Sequence, residues 1–298
     1  MSRYWPNLIL LAAIWGASYL FIKVALEDIA PAPMMAARLL IAAAVLVAYL
    51  VWRVGATTAF AELRGAWRAV AVLGVINAAL PFWLIAWGEQ HIDSGVAAIA
   101  QATVPIFALL LGLRFLPHER VTGDRLAGVA LGIVGVGVLT GLHPEGGWWA
   151  VAGTLAIVLS SLSYASGAVY GQRSVSCIRG PVLAAGSMLA GGLVLLPFAL
   201  FQLPDEVPGW KATASLAALT LAGTAFAQLI LFHMLALHGS ARLTLVTYLM
   251  PGFAVFYGAL LLDEAVTVAA LAGLALILAG VALGSGGVRA RLWRAAVR

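Results

Sequence analysis

Side chains able to do chemistry are sparse in this sequence, and most of them interrupt long apolar runs. They are Asn77, Gln101 with Thr103, the stretch Ser160, Ser161, Ser163 and Tyr164, Gln228, and Thr247 with Tyr248. Amides and hydroxyls make directional hydrogen bonds without carrying charge. In an apolar setting they are costly and face either a cavity, where they recognise a solute, or another helix. Prolines accompany them: Pro81, Pro105 and Pro251 stand four residues after Asn77, Gln101 and Thr247. A proline lacks its N–H, so each leaves the carbonyl of that preceding polar residue without a helical partner. Such carbonyls either mark hinges and line a cavity, or belong to packing kinks satisfied by water or a neighbour.

Lys23 and Arg38 are the basic residues inside apolar runs. They either reach outward to Glu27 and Asp28, or form an electropositive vestibule that receives a carboxylate. Trp15 and Trp83 also lie deep. Both are able to stack on an aromatic solute, although Trp15 next to Gly16 suits packing and Trp83, a turn from Trp87, suits an interfacial belt. None of the 12 acids is expected well inside a run. His233 is the histidine placed in one, and it suits snorkelling better than a proton relay. Solute movement down its own gradient, or weak coupling, is therefore expected. Substrate contacts are assigned to Asn77, Trp83, Gln101, Tyr164, Gln228 and Tyr248, hinges to Pro81, Pro105 and Pro251, and vestibule charge to Lys23 and Arg38. No GxxxxGK[ST] stretch occurs, so ATP is not expected to bind, and neither a cofactor nor a metal is anticipated. Gly16-Ala17-Ser18-Tyr19 with His233 is a faint nucleophile pattern. Its counterpart Ser166 has no histidine of its own, and catalysis is not expected.

These residues need elements that hold them in lipid. The 298 residues are 63% hydrophobic and 10% charged, against roughly 25% charged in soluble domains. That composition excludes a cytosolic enzyme and a disordered chain. The lone Cys177 excludes an internal disulfide. About 20 apolar residues make one helical crossing. Ten runs qualify: 6–26, 33–52, 69–88, 95–116, 124–142, 149–172, 181–203, 212–237, 241–262 and 266–285. The first is too long for a removable signal segment. With alternating spans, all of the 17 basic residues except Lys23, Arg38 and Lys211 fall on the side of the termini. Acids such as Glu27, Asp28, Glu89, Asp93, Glu145, Asp205, Glu206, Asp263 and Glu264 fall on the other. Basic residues stay inside, so both termini are expected in the cytoplasm. The net charge of +5 forms no patch suited to nucleic acid.

The two halves resemble each other. Ser94 to Leu139 (SGVAAIAQATVPIFALLLGLRFLPHERVTGDRLAGVALGIVGVGVL) aligns with Ser240 to Leu283 (SARLTLVTYLMPGFAVFYGALLLDEAVTVAALAGLALILAGVAL). Pro105 matches Pro251, Glu119 matches Glu264, Gly128 matches Gly273 and Gly135 matches Gly280. Gly128, Gly132, Gly135, Gly273, Gly280 and Gly284 carry the small-residue spacing of close helix packing. Five spans per half is an odd number, so the expected fold is an all-α membrane protein of ten helices in two inverted repeats, 1–143 and 144–298.

Trp15-Gly16-Ala17-Ser18, the Pro33…Arg38 pattern and the paired Pro…Glu…Gly…Gly blocks make the sequence similar to the EamA-like ten-span transporters of the drug/metabolite transporter superfamily. Leu39 departs from the family, which often has an aromatic there. Within the family the chain most resembles bacterial amino-acid exporters, including those for aromatic amino acids. The resemblance implies a multi-pass protein of the bacterial inner membrane, acting as a monomer on a small-molecule substrate. Export of other metabolites or drugs (nucleosides, sugar derivatives, cationic compounds), with or without proton coupling, is the alternative.

Overall fold

A computed structural model describes residues 4–115, 122–140, 147–175, 177–238, 243 and 245–284. The described residues that are ordered into elements are helical, as apolar segments must be where no water can pair with the backbone. The helices are α1 Tyr4–Ala25, α2 Pro31–Val54, α3 Ala56–Gly65, α4 Trp67–Gly74, α5 Leu80–Glu89, α6 Ser94–Gln101, α7 Val104–Phe115, α8 Gly123–Thr140, α9 Gly147–Ser174, α10 Gly180–Leu200, α11 Trp210–Thr220, α12 Ala227–His238, α13 Leu245–Leu261 and α14 Val268–Gly284. Wider π-helical turns, Val75–Ala79 and Leu221–Phe226, join α4 to α5 and α11 to α12.

Merged across these joints, eight segments are long and apolar enough to cross a membrane, with mean hydropathies of 1.4 to 2.3. α13 and α14 are apolar but shorter, at 17 residues each, or about 25 Å of helix. The short α3 was not foreseen in the sequence. It bridges α2 and α4 at the end rich in arginine, where Glu62 on α3 pairs with Arg179. Large side chains such as Ile133, Val134, Leu155, Leu193 and Leu271 face outward, as a lipid-facing belt would.

The packing pairs follow the halves. α2 packs on α10 and α8 on α14, joining equivalent spans. α1 packs on α13, as α6 and α7 pack on α9; α1 also packs on α11, as α5 packs on α9. Exchanging the halves therefore maps each pairing onto itself or another. Glycines set the closest approaches. A Cβ on Gly128 would lie 2.7 Å from the Gly284 nitrogen, and one on Gly16 would lie 2.6 Å from Phe253 Cβ. Arg3, Arg120, Glu145, Arg242 and the basic tail beyond 284, used in the charge pattern, and Glu119, used in the repeat alignment, lie outside the described residues.

Candidate functional site

Breaks in helices build the site. The span formed by α6 and α7 is interrupted at Ala102 and Thr103, just ahead of Pro105. Ser161 on α9 reaches the freed Gln101 carbonyl at 3.5 Å, a long contact, and the Ile157 carbonyl of its own helix at 3.2 Å. Ser160 Oγ lies 2.7 Å from Gln101 Oε1, while the Gln101 amide nitrogen is buried with no partner among the described residues. Pro81 opens α5 directly after a π turn, and Ser163 donates to the Ile76 carbonyl there at 2.6 Å. The second π turn contains no proline. In it, Thr224 donates to the Leu219 carbonyl, five residues back, at 3.1 Å. Such turns leave carbonyls available and often mark functional positions.

These joints surround a cavity of about 290 Å³. Trp15, Tyr19, Phe82 and Tyr164 supply aromatic walls, while Ser18, Asn77, Gln101, Thr224, Gln228 and Thr247 supply neutral polar groups. Arg38 is the cation in the lining, and no carboxylate lines the cavity among the described residues. The Arg38 side chain is 6% exposed. Its Nε donates to Thr224 Oγ1 at 2.8 Å, its Nη1 approaches Met35 Sδ at 3.8 Å, and its guanidinium carbon stands 4.2 Å from the Phe82 ring centre. The fork is thus held from one side by the Thr224 hydroxyl and from another by an aromatic face. A shallower hollow of about 340 Å³ lies at the arginine-rich end and includes Ser166, Tyr170 and Arg173.

Asn77, Gln101, Tyr164 and Gln228, assigned from the sequence as substrate contacts, lie together around the cavity. Trp83 and Tyr248 do not line it and instead pack beside the hydrophobic core. Trp83 points away because α5 turns Phe82 and Ile85 inward. Arg38 does not reach Glu27 or Asp28, since Thr224 and the Phe82 ring draw it into the cavity. Lys23 forms no ion pair with either acid among the described residues. Its ammonium donates to the Glu89 and Ile92 carbonyls at 2.7 and 2.8 Å, satisfying the end of α5. Asp28 accepts from the Gly209 N–H at 2.7 Å instead. Ser18 donates back to the Ile14 carbonyl, and His233 is exposed on α12, which leaves no nucleophile–base pair between them.

Sequence reasoning missed two acids. Glu264 accepts from Ser94 N–H at 2.8 Å, Ser94 Oγ at 2.9 Å and Gly95 N–H at 3.1 Å, so a residue of the second half caps α6 of the first. Its recurrence in the repeat alignment was the available signal. Glu89 was read as a residue beyond the end of its span. It is the last residue of α5 and fully buried.

The sequence profile of the EamA-like transporter family matches residues 5–141 and again 151–285. An uncharacterized inner membrane transporter of Escherichia coli K12, YedA, is 29% identical over 253 residues, covering 82% of this chain and 78% of its own. A probable terminal-alkyne amino-acid exporter of Streptantibioticus cattleyicolor is 31% identical over 221 residues, covering 72% of this chain and 71% of its own. A chain solved by crystallography shares the fold with a TM-score of 0.69 at 20% identity, over 98% of this chain and 99% of that one.

Proposed function

This chain belongs to the EamA-like transporter family of the drug/metabolite transporter superfamily, and on that premise we propose that it exports amino acids, aromatic and other hydrophobic ones included, through the central cavity. The observation that carries the reading is Arg38, a buried guanidinium without a carboxylate partner among the described residues, set among aromatic walls. A buried, unpaired charge is costly, and a substrate carboxylate relieves that cost. The oxygens of Asn77, Gln228 and Thr247 suit the ammonium, and Trp15 and Tyr164 suit an apolar or aromatic side chain. The cavity volume of about 290 Å³ is at the lower bound of small-molecule sites, roughly 300 Å³. Resemblance to a probable amino-acid exporter supports the same cargo.

In this reading the chain crosses the bacterial inner membrane ten times, with both termini in the cytoplasm. Residues 1–143 and 144–298 form two inverted repeats that rock about the broken spans at Pro81 and Pro105 and about Pro251, which sits inside the continuous helix α13. The proposed acting unit is a monomer, a reading supported by a cavity lined by helices of one chain. No bound cofactor takes part, and the activity is transport without catalysis. Nucleosides or sugar derivatives are the second reading, favoured by the neutral polar lining. Cationic compounds fit poorly beside Arg38. Counterflow in proteoliposomes with a panel of labelled amino acids tests the assignment. Accumulation of aromatic or branched amino acids is expected. Failure to move any amino acid, with nucleosides moving instead, would transfer the assignment to the second reading.

A further inference from the structure

The Glu89 carboxyl sits where an ionised acid is hardest to keep. The residue is fully buried at the end of α5, and neither carboxyl oxygen has a hydrogen-bond partner among the described residues. An unpaired carboxylate in such a place costs many kcal/mol, whereas a neutral acid costs far less. Its surroundings are built tightly. On the preceding Gly88 a Cβ would lie 2.9 Å from the Gly153 carbonyl of α9, so this end of α5 is pressed against that helix. The Glu89 carbonyl is held by Lys23, while the carboxyl is not. Ile85, one helical turn before Glu89, and Ile22, next to Lys23, both line the cavity. Glu89 therefore stands immediately beyond one end of the cavity.

We propose that Glu89 is a proton-binding site, and that its protonation and release couple solute export to the proton gradient. The inference rests on the transport reading above and extends it to the energy source. The charged and titratable groups around Glu89 are Lys23 and Tyr19 on α1, Arg38 on α2, Glu264 from the turn after α13, and His91 just past α5. On α9, the nearest titratable group toward the cavity is Tyr164. Lys23 and Arg38 repel a metal cation, and a lone carboxyl without further oxygen donors makes a poor cage for one. A proton needs only one oxygen. In the packed arrangement described here the acid holds its proton. When α5 parts from α9, water reaches the carboxyl, and the nearby Lys23 ammonium stabilises its ionised form. The proton then leaves to the water on that side and another enters from the opposite side in the alternate state. One O–H bond breaks and one forms per cycle, and no other bond changes. Two conformations that differ in proton affinity at one group are sufficient for coupling.

The test uses the purified full chain in proteoliposomes, wild type against Glu89→Gln and Glu89→Asp. A pH gradient imposed across the membrane is expected to change the rate of labelled phenylalanine efflux about tenfold in the wild type. Glu89→Gln, which mimics the protonated acid, is expected to keep counterflow within a few-fold and to lose the gradient effect. Glu89→Asp is expected to retain the effect with a displaced pH profile. Infrared difference spectroscopy reads the site without any solute: a protonated-carboxyl band that titrates with pH should vanish in Glu89→Gln. Gradient-independent efflux in the wild type, or a gradient effect that survives Glu89→Gln, overturns the proposal. If no amino acid moves in any variant, the cargo assignment fails while the infrared band still decides the site. Its absence overturns the proton-binding role, and its presence upholds it.

Discussion

At the scale of single residues, the proposed function makes Arg38 the group that selects which charge the cavity accepts. Removing it should weaken binding of solutes that carry a carboxylate and spare neutral ones. Arg38→Met is expected to raise the KM for phenylalanine counterflow by tenfold or more, equivalent to about 1.4 kcal/mol. Thr224→Val, which deletes the hydroxyl that orients the fork, is expected to raise it several-fold with little effect on expression. An unchanged KM in both variants would remove Arg38 from the site. Most of the lining was legible because amides and hydroxyls stand out in apolar runs: Asn77, Gln101, Tyr164 and Gln228 all face the cavity. Trp83 and Tyr248 were not separable from them, since rotation about a helix axis is decided by packing that a single sequence does not display. Glu89 escaped notice because a one-residue shift of a span boundary turns a loop acid into a buried one.

Among the elements, the broken spans and the glycine crossings have separable roles. Glu264 ties the turn between α13 and α14 to the start of α6 through three hydrogen bonds. Glu264→Ala is expected to lower stability by about 1–3 kcal/mol, read as a reduced thermal midpoint in detergent, and Glu264→Gln by less. Gly128→Leu should prevent close packing of α8 on α14 and yield no monodisperse protein, because a side chain there meets the Gly284 backbone. Normal yield and stability would show that the two helices can separate without cost. The apolar runs and the break at Pro105 were readable from hydropathy and proline. The π turn at Leu221–Phe226 was not, as nothing but Gly223 and Thr224 marks it. α3 was hidden too, because its alanines and polar residues follow no long apolar period.

For the whole molecule, the charge pattern and the packing pairs make one topological statement. Cys177 is exposed at the arginine-rich end, and Asp205 is exposed in the loop at the opposite end. In intact cells a membrane-impermeant thiol reagent is expected to leave Cys177 unlabelled and to label an Asp205→Cys variant made in a Cys177→Ser background. The reverse pattern would place the termini outside and invert the direction of transport proposed here.

The most direct single measurement is competition in wild-type proteoliposomes between labelled phenylalanine and two unlabelled compounds, phenylalanine itself and phenethylamine, which lacks only the carboxylate. If Arg38 receives the carboxylate, phenylalanine competes at least tenfold more strongly than the amine. Equal competition by the two would contradict a cavity organised around that guanidinium.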